Sequence, residues 1–247
     1  MKAQVIHFFL KLVDVKDPGP YGRCTNTKVY IADVTGFALI VYDLYTDKSW
    51  KIQNNLFLPN VAFSKFFIAG ESFDLMDGLF GLALKKRVCA SSANLIYPNN
   101  LNDVDNRLLY FHSLASNTEN AVPVSYLNNP LLWVRNPNAV STAFKPIGVR
   151  NGQTPAQAMD SNGNLWFVLL NPIALCCWDS TTPYNRDNIK VVVRDDVTLQ
   201  FASGLKVIKN TFGQDEIWTS TIRFQVSFYI VIYYFIRFTY FMNFKSI

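Results

Sequence analysis

The chain alternates between short hydrophobic runs and turns that are rich in Asp, Asn and Gly. The clearest turn spans residues 160–164 and leads directly into the apolar residues Leu165-Trp166-Phe167. Weaker forms of this phrase precede apolar runs that begin near residues 29, 108 and 217. Polar turn residues tolerate a tight backbone, and the β-branched and aromatic residues that follow pack well on a pleated surface. The pattern therefore predicts many short strands, and no segment has the period of a long helix.

The predicted strand starts at 29, 108, 165 and 217 recur at intervals of 79, 57 and 52 residues. Units of a turn and strands that repeat every 40 to 50 residues or so are typical of β-propeller blades. Residues 85–106 break the alternation, and leaving out these 22 residues shortens the first interval to 57. We therefore predict an all-β protein, a β-propeller with about four blades in this chain, in which 85–106 is a probable insertion. Gly78, Gly81 and Ala83 suit the crowded innermost strand of a blade.

Charge and motifs exclude several classes of function. The chain has 23 basic and 18 acidic residues, and the basic residues are scattered apart from the run at 85–87. Because no basic patch is interleaved with aromatic residues, we predict no nucleic-acid partner. The sequence contains no P-loop, GxSxG or HExxH motif, and two histidines are too few for a His-rich metal site. Asp160 begins a phrase that faintly resembles a calcium loop, but the downstream Glu is missing, so a hairpin turn is predicted there. No metal and no cofactor are predicted.

The two ends of the sequence differ from the rest. The apolar start of the chain is interrupted by His7 and Lys11 and lacks a small-residue cleavage site, so it is a poor signal peptide. Residues 226–247 are long and apolar enough to suggest a membrane span, but Arg237 in the middle would cost several kcal/mol at a bilayer centre. We interpret 226–247 as a hydrophobic tail outside the domain, and as a gene-model artefact rather than a membrane anchor. The predicted domain is 1–225, and a membrane partner is not expected.

The four cysteines, at positions 24, 89, 176 and 177, do not have the spacing of a zinc site. Neighbouring residues of a strand point to opposite faces, so Cys176 and Cys177 cannot both face one core. One of them could join a disulfide, and Cys24 and Cys177 are the candidates. A free buried thiol is the alternative for each cysteine.

A series of phrases, in order along the chain, resembles the yellow / major royal jelly protein family of insects. They include residues 30–37, 69–73, 109–116, 158–163, 198–201 and 223–225. The resemblance covers about 17–225 and departs from the family at 85–106 and after Gln225. It implies a secreted six-bladed propeller, here only partly present, whose members act in pigmentation, dopachrome conversion, binding of biogenic amines or nutrition.

Five residues are candidates for ligand binding or catalysis. Glu71, Asp77 and His112 are the candidate catalytic bases, although Asp77-Gly78 could be a simple turn and His112 an ordinary strand residue. The amine-binding members of the family use a hydroxyl residue together with an Asn and a Phe from the following segment. Thr221 matches the hydroxyl position, but Asn243 and Phe244 lie in the replaced tail and are not taken as the partners. Phe73 is a candidate channel-lining aromatic residue.

Three functions follow from these observations. The first is a secreted protein that binds a small aromatic amine or catechol, or that acts in melanin pigmentation, with aromatic rings and polar groups around the ligand. The second is a dopachrome-converting isomerase, which needs a base for a carbon-bound proton and donors for the developing phenolate. The third is a structural or nutritive secreted protein without a small ligand.

Overall fold

The computed structural model describes residues 10–15, 27–85, 107–226 and 240–245. Four antiparallel sheets of three or four strands account for most of this part of the chain. Blade I contains β1 (Leu10–Val15), β2 (Lys28–Asp33), β3 (Ala38–Asp43) and β4 (Lys48–Gln53). A separate hairpin follows, formed by β5 (Lys65–Ile68) and β6 (Glu71–Asp74).

The later blades repeat the arrangement of blade I. Blade II contains β7 (Leu79–Leu84), β8 (Leu108–Ser113), β9 (Thr118–Pro123) and β10 (Lys145–Val149). Blade III contains β11 (Gln157–Met159), β12 (Asn164–Leu170), β13 (Ile173–Asp179) and β14 (Ile189–Arg194). Blade IV contains β15 (Phe201–Lys209), β16 (Asp215–Ile222) and β17 (Tyr240–Lys245).

The blades are arranged as in a propeller. Within each blade the strands pair in sequence order, and the first strand of each blade contacts the first strand of the next: β1 with β7, β7 with β11, and β11 with β15. This arrangement confirms the predicted all-β propeller with about four blades. The strand starts predicted at 29, 108, 165 and 217 are the second strands of the four blades, each within two residues of its observed start.

The recurring turn owes its shape to a polar side chain at its first position. In blade III the Asp160 carboxylate accepts hydrogen bonds from the Asn162 and Asn164 backbone N–H groups at 2.9 and 2.8 Å, and from the Asn164 side chain and the Trp166 indole at 2.9 Å each. Gly163 has φ +88°, which a glycine adopts without the strain of a side chain. The prediction of a hairpin turn is confirmed, and four donors already occupy this carboxylate.

Blade IV builds the equivalent turn with an amide. Asn210 Oδ1 accepts from the Phe212 and Gln214 N–H groups, each at 2.9 Å, and Gly213 has φ +75°. The turn of blade III also reaches blade IV, because the Ser161 N–H donates to Asp215 Oδ2 at 2.7 Å. The turn therefore shapes one blade and attaches it to the next.

The hydrophobic core lies in layers between neighbouring blades. One layer joins blades I and II around Phe57 and Phe111, and another joins blades II and III around Tyr110 and Phe167. A third joins the β5–β6 hairpin to blades III and IV. Flat sheets that meet face to face bury both faces of the inner strands, which explains why β7 and β12 are apolar along almost their whole length.

Helices are short in the described residues. They are α1 (Val124–Leu127) and α2 (Pro130–Trp133), a helical turn at 224–226, and single 3₁₀ turns at 55–57, 61–63 and 141–143. The connection that contains α1 and α2 is attached to blade I, because the Trp50 indole donates to the Leu127 carbonyl at 2.9 Å. No helix in the described ranges is both long enough and apolar enough to cross a membrane.

The predicted domain limits are only partly within the described residues. Residues 240–245 of the predicted tail form β17 and pair with β16, with Tyr240 opposite Thr221 and Lys245 opposite Glu216. Residues 227–239 and most of the predicted insertion, 86–106, lie outside the described residues, as do Cys24 and Cys89. The limits at 85–106 and at 225 therefore stay predictions.

Candidate functional site

Four polar side chains form a buried cluster between blades II and III. The polar cluster consists of His112 on β8, Glu119 on β9, Arg150 just after β10 and Gln157 on β11. His112, Glu119 and Arg150 have no exposed surface, and Gln157 is 4% exposed. Charged side chains are rarely buried unless they are paired, so the contacts within the cluster decide whether it stabilises the fold.

Glu119 is at the centre of the polar cluster. Its Oε2 accepts from Arg150 Nη1 at 2.9 Å and lies 3.1 Å from His112 Nδ1, while its Oε1 accepts from Gln157 Nε2 at 3.0 Å. Arg150 also donates through Nε to the Gly152 carbonyl at 3.1 Å and through Nη2 to the Ser116 carbonyl at 3.3 Å. One carboxylate thus connects side chains from both blades.

The ring of His112 contacts oxygen atoms through both nitrogens and lies close to Gly81. Nδ1 lies 3.1 Å from Gln157 Oε1 in addition to Glu119, and Nε2 lies 2.8 Å from the Thr154 carbonyl oxygen. A Cβ atom added to Gly81 on β7 would come within 2.1 Å of His112 Cε1. Gly81 therefore leaves the space that the ring occupies, as the sequence predicted for the innermost strand.

The candidate bases lie in three different environments. The Glu71 side chain is exposed on the β5–β6 hairpin, Asp77 is half-buried ahead of β7, and His112 is fully buried. Asp77 is not in a turn: its carbonyl accepts from the Ala115 N–H at 3.1 Å, which attaches the approach to β7 to blade II. Since both nitrogens of His112 face oxygens inside the protein, neither is directed at solvent. The role of each residue as a base stays a prediction.

Phe73 belongs to a row of stacked rings between the hairpin and blade IV. It stacks on Phe66 with ring centroids 5.2 Å apart and contacts Phe224 at 5.6 Å, and Phe224 stacks on Phe201 at 4.7 Å. Phe66, Phe73 and Phe201 are buried, whereas Phe224 is half-buried. We call these four rings the aromatic row. They form part of the core layer that joins the hairpin to blades III and IV.

Thr221 lies near the end of β16, one residue before the residue that pairs with Phe201. It pairs with Ala202, and its neighbour Ile222 pairs with Phe201. Its side chain is 1% exposed, yet its hydroxyl has no hydrogen-bond partner among the described residues. Thr219, two residues earlier on the same face, instead donates to the Gly204 carbonyl at 2.9 Å. A second buried acceptor near the end of β16, Gln225 Oε1, also has no such partner.

Cys176 and Cys177 lie on opposite faces of β13, as predicted. Cys176 packs in the layer between blades II and III, and Cys177 packs against the layer of the hairpin and blades III and IV. Both are free thiols, and burial raises the pKa of Cys176 to about 11 and that of Cys177 to about 12. Thiols that stay protonated at neutral pH are poor nucleophiles. Cys24 lies outside the described residues, so its pairing stays a prediction.

The chain is similar in sequence to known proteins. Residues 5–240 match the family described as Major royal jelly protein. The chain belongs to this family. The match confirms the resemblance drawn from the sequence phrases, and it extends past residue 225, where we predicted the domain to end.

Individual relatives in the family are about one-third identical to the chain. It is 30% identical over 210 residues to the dopaminechrome tautomerase of Drosophila melanogaster, covering 83% of this chain and 42% of that protein. It is 32% identical over 185 residues to major royal jelly protein 9 of Apis mellifera, covering 74% of this chain and 38% of that protein. The chain thus spans about two-fifths of the length of these curated relatives.

A solved structure also aligns with the chain. It is the calcium-binding protein regucalcin of Agrobacterium tumefaciens, with a TM-score of 0.35, 10% identity, and coverage of 87% of this chain and 83% of that one. The propeller assignment rests on the strand pairing described above.

The sequence did not point to Glu119, Arg150 or Gln157. They lie 7, 38 and 45 residues from His112 and belong to different strands of two blades, so no local motif contains them. In the sequence, Glu119 and Arg150 are isolated charged residues, and nothing around them distinguishes them from the other scattered charges. The glycine at position 81 was noticed, but not the ring that it accommodates.

Proposed function

We propose that this chain takes part in binding a small aromatic amine or catechol near Thr221, at the end of β16. The observation that carries the proposal is the Thr221 hydroxyl, which is buried without a partner in the described residues. A buried hydroxyl without a hydrogen bond costs roughly 1–3 kcal/mol, so the fold gains when a ligand supplies the missing partner. The phenol or amine of a catecholamine is such a partner.

The aromatic row supports the same ligand class. A flat ring of the ligand can contact the exposed part of Phe224, which is half-buried and packs against Phe73 and Phe201. Stacked aromatic pairs contribute about 0.5–1.5 kcal/mol beyond the area that they bury. Because Thr221 is only 1% exposed, its surroundings must open to admit the ligand. The D. melanogaster relative, a dopaminechrome tautomerase, acts on a compound of related chemistry.

The test is calorimetric titration of the chain with dopamine and with serotonin, for the unmodified protein and for Thr221→Val. This near-isosteric change removes the hydroxyl, and we expect about a tenfold loss of affinity, which corresponds to one hydrogen bond of roughly 1.4 kcal/mol. Thr219→Val is the matched control, since Thr219 lies on the same face but donates to Gly204. Equal affinities for the unmodified protein and Thr221→Val would remove Thr221 from the site.

A second candidate function is tautomerisation of a dopachrome-like compound, which the name of the same relative favours. The reaction needs a base that reaches a carbon-bound proton, and of the three predicted bases only Glu71 and Asp77 are not fully buried. Loss of dopachrome absorbance is measured with the chain, with Glu71→Gln and with Asp77→Asn. If only one variant is inactive, that residue is the base.

The setting of these activities is also part of the proposal. We place the protein outside the cell and in melanin pigmentation, as the resemblance to the yellow proteins implies. If the chain neither binds the amines nor accelerates dopachrome loss, the structural or nutritive alternative is favoured.

A further inference from the structure

We propose that the polar cluster is a proton-dependent clasp between blades II and III, in which His112 is a buried imidazolium ion. The inference is independent of the proposed ligand and concerns the stability of the propeller. It rests on which atoms face the two ring nitrogens, on the fixed orientation of Gln157, and on the burial of the whole cluster.

The first step is the nitrogen Nε2 of His112. It lies 2.8 Å from the backbone carbonyl oxygen of Thr154. A carbonyl oxygen only accepts hydrogen bonds, so Nε2 carries a hydrogen. This contact alone is compatible with a neutral ring.

The second step is the nitrogen Nδ1, which faces two oxygens. They are Glu119 Oε2 and Gln157 Oε1, each at 3.1 Å. The Gln157 amide cannot be turned to present its nitrogen instead, because that nitrogen donates to Glu119 Oε1 at 3.0 Å and the turn would bring two oxygens together. Nδ1 therefore also carries a hydrogen, and a ring with both hydrogens is a cation.

The third step is the charge balance of the buried groups. Glu119 is the one anion, and His112 and Arg150 are the two cations. Three other titratable groups in the same layer, Tyr110, Tyr184 and Cys176, are neutral, because burial raises the pKa of each. The cluster thus has a net positive charge, which the carbonyl oxygens around Arg150 and His112 stabilise through hydrogen bonds.

Loss of the Nδ1 hydrogen would loosen the clasp. The nitrogen lone pair would then face two oxygens at 3.1 Å, and the side-chain link from His112 on β8 to Gln157 on β11 would become repulsive. A histidine of the unfolded chain loses its second proton near about pH 6.5. If the folded chain retains that proton to higher pH, the added stability is fully present below pH 6.5 and is lost as the pH rises above it.

The direct test uses the fact that the chain has two histidines. The variant His7→Gln leaves His112 as the single histidine, so ¹⁵N-histidine labelling gives its two ring nitrogens without ambiguity. We expect both nitrogens to have the shifts of protonated nitrogen at pH 8, where a solvent-exposed histidine is neutral. A deprotonated Nδ1 at pH 7 or below would overturn the proposal.

A stability measurement tests the function of the clasp. Between pH 6.5 and 8.5 the unfolding equilibrium constant of His7→Gln should rise by up to about tenfold per pH unit, the slope for one proton. The double variant His7→Gln, His112→Gln should lack this slope. Parallel pH profiles for the two proteins would contradict the clasp, and if the double variant does not fold, the nitrogen shifts of His7→Gln decide alone.

Discussion

Glu119→Gln is the substitution that tests the polar cluster most directly. Gln has almost the same shape as Glu, so the change leaves no cavity, removes the charge and replaces one acceptor oxygen by an NH2 donor. In the structure that charge balances two buried groups, Arg150 at 2.9 Å and His112 at 3.1 Å. The variant would leave the cationic Arg150 without an anion in a site with no exposed surface.

The expected cost is large compared with the stability of a domain. Removing one partner of a buried ion pair costs about 3–5 kcal/mol, because the remaining charge is left uncompensated. Whole domains are stable by roughly 5–15 kcal/mol, so the variant should lose between a fifth and all of its stability. The side-chain NH2 of the new Gln would also face N–H groups that already donate to this position, so hydrogens would meet hydrogens.

The assay is equilibrium unfolding in urea, followed by tryptophan fluorescence of the buried Trp166 and Trp178 in blade III. Lys51→Met is the control: Lys51 lies 3.8 Å from Asp33, and the two side chains are 48% and 25% exposed. Exposed pairs of this kind contribute about 0–1 kcal/mol. If Glu119→Gln costs no more than Lys51→Met, the charge of Glu119 does not hold the blades together.

Three further predictions concern single sites. Gly81→Ala should cost about 1–3 kcal/mol in urea unfolding and should shift the ¹⁵N signals of His112, because the new Cβ would meet the ring at 2.1 Å. Asp215 should stabilise the fold by about 2 kcal/mol above pH 4: burial alone would raise its pKa, but Lys209 and Ser161 lower it to about 2. That stability should disappear as the pH falls from 4 through 2, and Asp215→Asn should lack this dependence in acid titrations of the unfolding free energy. Thr221→Val should leave the urea midpoint unchanged or raise it, since the lost hydroxyl has no described partner.

Each of these predictions has a control in the chain. Gly70→Ala introduces a Cβ with nothing within 4 Å, so its backbone strain at φ +89° should leave the His112 signals unchanged. Asp74→Asn changes an exposed carboxylate and should leave the acid profile unchanged. Thr219→Val should lower the unfolding free energy by about 1 kcal/mol, and with it the urea midpoint, because its bond to Gly204 is lost. A lower midpoint for Thr221→Val than for Thr219→Val would contradict our account of the buried hydroxyl.

The fold was largely predictable because its signals are local. The turn at Asp160 is specified within seven residues, from the carboxylate to the Trp166 indole, and the turn at Asn210 within five. Such a local pattern can be recognised wherever it occurs in the sequence, and the distance between its copies predicted the blades. The separate β5–β6 hairpin was not predicted, since its turn at Ala69-Gly70 lacks the Asp or Asn of the other turns.

The candidate site was less predictable because its contacts cross between blades. His112 was identified from its side-chain chemistry alone, and Glu119, Arg150 and Gln157 join it through the packing of separate strands. Thr221 was identified through the family resemblance, and its missing hydrogen bond depends on which carbonyl groups β15 places nearby. Neither fact is encoded in a short stretch of sequence.

The turns and the clasp imply an order of events during folding. The hydrogen bonds of Asp160 and Asn210 close loops of a few residues and can form while the rest of the chain is still extended. The contacts of the clasp between blades II and III join residues 38 and 45 positions apart and can form only after two finished blades meet. We therefore expect substitutions at Asp160 to slow refolding and substitutions at Glu119 mainly to accelerate unfolding. A propeller built in this way assembles from pre-formed units, and its long-range polar contacts act late, as a check that neighbouring blades are correctly docked.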